Sequence, residues 1–436
     1  MTNCRSETIR FKGVKGRKVE AVFNGQTITS DGGGMLLRAA DESSRLLSRV
    51  ARCFDDHRRK ASCAHSIENL LRQRVYALAL GYEDLNDHDS LRHDLALQTA
   101  VGRDVDMASA STLCRFENSV EANSLWALSS VLVDVFIESF RNAPEEIVLD
   151  FDATDDAVHG KQEGRFFHGY YDHYCFLPLY VFCGERLLAA YLRPSNIDGA
   201  KHSLGILGLL VKRLRAAWPK TRIIMRGDSG FCRWKLMQWC DSHKVEYLLG
   251  LAQNKRLIKE AQPLLDEVHE CFLQTRKKQK QFSETHYAAD TWDKKRRVII
   301  KAEHLEKGSN PRFVVTSLLD CPEELYQRYC ARGEMENRIK EQQLYLFADR
   351  TSCSKWRPNQ FRVLLSALAY SLIQTIRAKA LAGTELARAR CDTIRLKLLK
   401  IGATVIKNTR RVILMLSESC PCKELFRLAA ARLQAG

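Results

Sequence analysis

The amino-acid sequence predicts an α/β protein, a mixed sheet flanked by helices, with a mainly helical region before it and basic helices after it. Three observations carry this. Hydrophobic residues make up 45% of the 436, ample for a large core and too many for a disordered chain. Apolar residues recur at helical spacing through residues 40–140. From Glu145 the period changes to short, β-branched runs that alternate with helical stretches. At about 150 residues per domain, the length corresponds to two or three domains.

Residues 1–20 read as a basic arm; the first 18 have no apolar stretch of the kind a secretory signal needs. Ala21 to Ile28 reads as a short strand. Thr29-Ser30-Asp31 and Gly32-Gly33-Gly34 then open a helix, a turn that either cradles a phosphate or simply bends the chain. Leu70, Leu71, Val75, Leu78 and Leu80 form one apolar stripe, with Arg72 and Arg74 off it. Ser111-Thr112 is placed to cap a helix with Arg115 on its first turn, and a second helix follows. A short capped helix with an Arg suits a DNA groove, although any capped helix looks alike.

Next come the strand EEIVLDF and two more, YCFLPLYVFCG and RLLAAYLRP, joined by a hairpin at Gly184-Glu185. A helix at His202–Ala217, the strand TRIIMRGD, a helix at Cys232–Ser242, the strand VEYLLGLA and a helix from Lys255 complete the series. This β-β-β-α-β-α-β order is RNase H-like, a fold in which the first and fourth strands are neighbours. Between Thr275 and Leu319, three antiparallel strands flanked by Arg276-Lys277-Lys278-x-Lys280 and Lys294-Lys295-Arg296-Arg297 read as an inserted β-module with a cationic surface. A long helix carrying Glu336 follows. The blocks are therefore 1–140, a mainly helical DNA-binding region; 141–360, an RNase H-like catalytic domain with its β-rich insertion at about 275–320; and 361–436, a basic helical region.

Lys plus Arg is 68 and Asp plus Glu is 52, a formal charge of +16 that favours a polyanionic partner. Residues 377–411 hold ten Lys/Arg against Glu385 and Asp392, a local +8. Arg395, Lys397 and Lys400 lie there inside an apolar pattern and read as a DNA track. The 15 cysteines have no regular spacing and read as reduced thiols. Cys53, His57, Cys63 and His65 match no common zinc-module spacing. The apolar run between Arg362 and Arg377 is too short and too polar to span a bilayer, so no membrane partner is expected.

Three acids stand in distinct contexts: Asp152 in IVLDFDATDD, Asp228 in IIMRGDSGF, and Glu336 in Tyr329-x2-Arg332-x3-Glu336. Two end β-branched runs and the third sits on a helix. Two divalent ions about 3.5–4 Å apart need several anionic oxygens of this kind. Asp150 shares a strand face with Asp152 and is the alternative first ligand, with Asp155 and Asp156 close behind. Tyr329, Arg332 and Glu336 lie on one helical face, where Arg can clamp a phosphate while Glu ligates an ion. Lys161 and Arg165, in HGKQEGRFFHGYYDHY, are placed to hold a DNA strand, and Trp292 is either a base-stacking or an ordinary core residue.

Long stretches, among them TSDGGGMLLRAAD, DFDATDD, LRPSNIDGAKHS, RGDSGFCR and YCARGEMENRIKEQQLYLFADRTS, resemble the DDE transposases of bacterial insertion sequences, in the IS4-like group and its IS1380 family. The resemblance covers most of the chain. It implies catalytic, metal-holding Asp152, Asp228 and Glu336, two Mg²⁺ ions replaceable by Mn²⁺, recognition of terminal inverted repeats, cut-and-paste joining to target DNA, a homodimer assembled on DNA ends, and a bacterial cytoplasmic, nucleoid-associated location. The group's Tyr-x2-Arg-x3-Glu-x6-Lys signature is matched at Tyr329, Arg332 and Glu336, but Gln343 stands at the Lys position, which leaves Lys340 to contact phosphate. The other classes open to this sequence are a structure-specific nuclease without strand joining and a non-catalytic DNA-binding protein.

Overall fold

The computed structural model describes residues 8–59 and 63–435; residues 1–7 of the basic arm lie outside the described residues. The chain forms two compact units. One comprises residues up to Arg45, Arg58–Cys114 and Thr375–Gly436; the other comprises Leu46–His57 and Arg115–Gln374. These units differ from the three consecutive blocks read from the sequence, because the C-terminal segment groups with the N-terminal one.

The second unit holds β1 (Glu146–Ala153), β2 (Leu179–Cys183), β3 (Arg186–Tyr191), β4 (Arg222–Gly227), β5 (Glu246–Leu251), β6 (Gln279–Tyr287), β7 (Arg296–Leu305) and β8 (Arg312–Thr316). With a two-residue strand at Gly308–Ser309 they make one nine-stranded mixed sheet, ordered β6-β7-β8-β5-β4-β1-β2-β3. β4 runs parallel to both β1 and β5, and the other pairs are antiparallel. The first and fourth strands are neighbours, as the element order requires. The strands between Thr275 and Leu319 are present but are not a separate module: β8 pairs with β5 and so extends the same sheet.

Period-two alternation decides what each face meets. Leu149, Phe151, Ile223, Met225 and Leu249 turn to one face and form a core with α1 (Ser203–Ala217), α2 (Trp234–Ser242) and α3 (Lys255–Thr275). Ile224, Leu248 and Val314 turn to the other and pack on Leu325, Tyr326 and Tyr329 of α4 (Pro322–Cys330). Asp150, Asp152 and Arg226 share this second face by parity. The expected single helix carrying Glu336 is broken: after α4 the chain turns at Ala331-Arg332, before Gly333, a weak helix former, and resumes as α5 (Gly333–Lys340). A π-helical turn at Glu341–Tyr345 follows, then the buried α6 (Trp356–Thr375).

The β6–β8 region is less cationic than its composition indicates. Arg296 is buried and pairs with Asp241 at 2.6 Å and Asp293 at 2.9 Å. Arg297 pairs with Glu284, Lys294 with Asp241, and Lys278 with Glu303. Trp292 is half-buried against the core and meets Tyr287 edge-on at 5.6 Å, so it is a packing residue.

In the first unit, residues expected as a plain arm form an exposed hairpin, Ile9–Val14 with Arg17–Ala21. The strand expected from Ala21 shrinks to Ile28–Thr29, which pairs with Ala403–Lys407 and, through it, with Val412–Leu416. The C-terminal region thus carries strands as well as helices. Gly32–Gly34 cradle no phosphate: they are buried, and a Cβ on Gly33 would lie 1.9 Å from the carbonyl oxygen of Leu398. Their smallness permits close packing of the chain's two ends. Arg395 donates to the carbonyls of Ala79 (2.8 Å) and Leu78 (3.3 Å), and Lys400 pairs with buried Asp31 at 2.7 Å. These two cations, expected on a DNA track, are engaged within the unit; Lys397 between them is exposed. Arg74 also departs from expectation, being buried with Nη2 donating to the Glu83 carbonyl at 2.9 Å. Among the described residues, no single helix is long and apolar enough to cross a membrane.

Gln73 ties this unit's helices to the loop at Ala108 and offers its amide to His88 Nδ1 at 3.1 Å. Burial, aided by the Arg74 charge, pushes the His88 imidazole down to about 3. The unfolded chain takes up this proton near pH 6.5, whereas the folded chain resists it until about pH 3. The stabilisation is therefore complete above pH 6.5 and is lost as pH falls. Urea unfolding of the wild type should lose about 2 kcal/mol more than that of His88→Gln between pH 7 and pH 5. Parallel pH profiles for the two proteins would refute this role.

Candidate active site

β1 and β4 are in parallel register, with Phe151 beside Gly227. The next residue on each chain is an acid, so Asp152 and Asp228 end neighbouring strands at one level. Asp228 caps the short 3-10 turn Ser229–Phe231, its Oδ1 accepting from Gly230 N at 2.8 Å. Asp152 Oδ1 accepts from Ala153 N at 2.9 Å. Its other oxygen faces Arg332, whose Nη1 is 3.3 Å away, while Nη2 of the same guanidinium donates to Glu336 Oε1 at 3.0 Å. One cation thus links the strand acid to the helix acid.

The electrostatics agree with this geometry. Burial pushes the Asp152 carboxyl up to about 6; Arg332 opposes the shift, and Asp228 and Glu336 add to it. Three carboxylates crowd the ends of β1 and β4, and Arg332 supplies the positive charge they require. Burial alone would lower the Arg332 pKa, yet Asp152, Tyr329, Glu336 and Asp228 together raise it. Among the described residues, no three acid, His or Cys side chains are arranged to hold an ion as they stand. The donor set is nevertheless all carboxylate oxygen, the chemistry Mg²⁺ prefers, and Arg332 marks where a cation is favoured.

Asp150 is engaged elsewhere. Arg226 grips it with two bonds of 2.5 and 2.8 Å, and the same guanidinium donates to the Arg328 carbonyl, tying α4 to β4. Its pairing leaves Asp152 as the acid turned toward Asp228 and Glu336. Asp155 accepts from His173 Nε2 at 2.9 Å, if that nitrogen carries the proton, and buried Asp156 accepts from Thr351 at 2.9 Å. Tyr329 lies beneath the site, where burial raises its hydroxyl. A Cβ on Gly250 would come within 2.5 Å of that hydroxyl and 2.9 Å of Ser229 N, so this strand position has room only for glycine.

Lys340 is exposed at the end of α5, one turn beyond Glu336. Gln343 donates to the Asp155 carbonyl at 2.8 Å, so the residue at the signature's Lys position braces the acidic loop. Lys161 is exposed, and Arg165 stacks over Tyr174, 4.5 Å from the ring centroid. Arg115 is exposed on the last turn of the helix Ala110–Asn118, not the first; the helix-start hydroxyl is that of Ser109, which accepts from Thr112 N. Arg395, Lys397 and Lys400 belong to the other unit. Sequence reasoning missed Arg226 and Gly250. The Arg in an apolar strand (IIMRGD) and the Gly in another (VEYLLGLA) were the available signals.

The chain thus sets an acid at each of two adjacent parallel strand ends, with a third on a following helix. A model of the family described as transposase DDE domain group 1 matches residues 11–436, and the chain belongs to this family. Among solved structures, the chain is similar to the cryo-EM structure of a piggyBac transposase synaptic complex with hairpin DNA, at 11% identity and a TM-score of 0.39, covering 86% of this chain and 83% of that one. No curated protein matches.

The two neighbouring aspartates should behave oppositely. Asp150→Ala strands the Arg226 charge and should cost about 3–5 kcal/mol in urea unfolding. Asp152→Asn removes one charge from a crowded cluster and should cost less than about 1 kcal/mol, or stabilise the fold. The reverse ranking would show the pairing scheme to be wrong.

Proposed function

We propose that this protein is a DNA transposase with an RNase H-like core, encoded by a bacterial insertion sequence of the IS4-like group, and that it cuts the inverted-repeat ends of its element and joins the freed 3′-OH to target DNA. The observation that carries the reading is the convergence of Asp152, Asp228 and Glu336 around Arg332, in a chain of a DDE transposase family. The +16 formal charge suits a DNA partner. Each end would be held by one copy, making a homodimer on DNA.

In this reading Asp152, Asp228 and Glu336 hold two Mg²⁺ ions. Ions held there would supply activation of water or a 3′-OH and neutralise charge on the scissile phosphate. The remaining chemistry belongs to side chains. Arg332 balances the acids in the resting protein and offers a bidentate fork to phosphate. Tyr329, wedged over Gly250, supports the Asp228 turn and the Arg332 guanidinium. Gln343 fixes the Asp155 backbone, and the exposed Lys340, one turn beyond Glu336, would contact the flanking phosphate. Cleavage and joining are both in-line phosphoryl transfers, so one site serves both.

Incubation with duplex carrying the element's ends and Mg²⁺ should give 3′-OH ends and then joined products. Asp152→Asn, Asp228→Asn and Glu336→Gln should each lower cleavage about a thousandfold, roughly 4 kcal/mol of transition-state stabilisation, and leave end binding intact. Normal cleavage by any of the three would remove that acid from the site. Cleavage without joining would favour a structure-specific nuclease, and end binding without cleavage by the wild type a non-catalytic DNA-binding protein.

At saturating DNA, Lys340→Ala should slow cleavage about tenfold, or about 1.4 kcal/mol. An unchanged rate would remove Lys340 from the phosphate contact.

A further inference from the structure

The connection from β1 to β2 is a small structure of its own. Asp156–Ala157, Phe166–His168 and His173–Phe176 form a three-stranded antiparallel sheet with His173–Phe176 in the middle. It begins four residues after Asp152 and is fastened there by the His173–Asp155 bond. Its register pairs Phe167 with Tyr174, and Arg165, just before the strand, lies over the Tyr174 ring. Phe167 is 53% exposed and Tyr174 48%, although each could bury more than 150 Å² of ring surface in a core. Tyr170, at the turn, is 86% exposed and braced edge-on by Tyr171 at 5.0 Å. The rings are ordered by one another and by charge: Phe167 meets Tyr174 edge-on at 5.7 Å, and Arg165 lies on the Tyr174 ring.

Rigid, solvent-facing rings backed by a guanidinium, with Lys161 in the same loop, are what an unpaired nucleobase and its phosphate require. An intact duplex hides its base faces, so these rings can stack only on unpaired nucleotides. An acidic or purely apolar partner would leave either the cations or the rings without a role. We infer that the face of Arg165, Phe167 and Tyr174, with Tyr170 at its tip, is a stacking platform for single-stranded DNA beside the strand-end acids. The inference rests on the DNA-cutting reading for its biological setting, but the platform is tested without catalysis.

Fluorescently labelled oligothymidine, titrated in the absence of divalent metal, reads the platform alone. Wild-type protein should bind it, and Phe167→Ala, Tyr170→Ala and Tyr174→Ala should each weaken binding about tenfold. Tyr170→Phe and Tyr174→Phe should retain binding, because the ring is kept. Arg165→Gln should lower the slope of log affinity against log salt by about 0.7, whereas the ring substitutions should leave it unchanged. Tyr170 is so exposed that its replacement cannot unfold the protein, which keeps the test open should a paired-ring variant misfold. Full oligothymidine binding by Tyr170→Ala and the other alanine variants overturns the platform, as does equal loss in the Phe and Ala variants of the tyrosines. Ring-dependent binding in a wild-type protein that cleaves no element ends would sustain the platform and sink the transposase reading. Normal end cleavage with ring-independent binding would do the opposite.

Discussion

Acids set at the ends of adjacent parallel strands repel, and arginines standing among them offset that repulsion. The buried Asp150–Arg226 pair joins β1 to β4 across the register that later aligns Asp152 with Asp228. Arg226 also reaches the α4 backbone, and Arg328 of that helix pairs with Glu146 at the start of β1. Two guanidiniums therefore fix the depth and the direction at which the helix crosses the sheet. Removing one partner of such a pair leaves a charge in a poorly solvated place, which makes the arrangement all-or-none. Arg332 repeats the principle one turn on, pairing mostly buried Asp152 with the more exposed Glu336.

This graded use of arginine separates framework from site. Below the site the Asp150–Arg226 pair is buried and bidentate, and it resists exchange. At the site, Arg332 spans 3.0 and 3.3 Å to two different acids, contacts that a phosphate or a metal can compete for. Gly250 belongs to the same economy of space, since any larger residue would push Tyr329 off the Asp228 turn.

Net charge is a poor map of where a polyanion would lie. Half of the chain's excess falls in residues 377–411, yet Arg395 and Lys400 there are held by backbone carbonyls and by Asp31. The basic clusters around β6 and β7 are likewise largely paired with Asp241, Asp293, Glu284 and Glu303.

What the sequence by itself determined is local. Apolar alternation located β1 to β8 and the helices between them, and strand-end context picked out Asp152 and Asp228. Helical spacing put Tyr329, Arg332 and Glu336 on one face even though the helix breaks between them. These features were legible because periodicity is a property of neighbouring residues. Only tertiary structure decided the rest. It gave Asp150 to Arg226, joined the strands after Thr275 to the main sheet through β5 and β8, brought Ile28–Thr29 against Ala403–Lys407, and buried the Gly32–Gly34 turn. Each of these depends on a partner tens to hundreds of residues away. The identity of that partner is set by which charges and surfaces the fold brings into contact, and no local pattern records it.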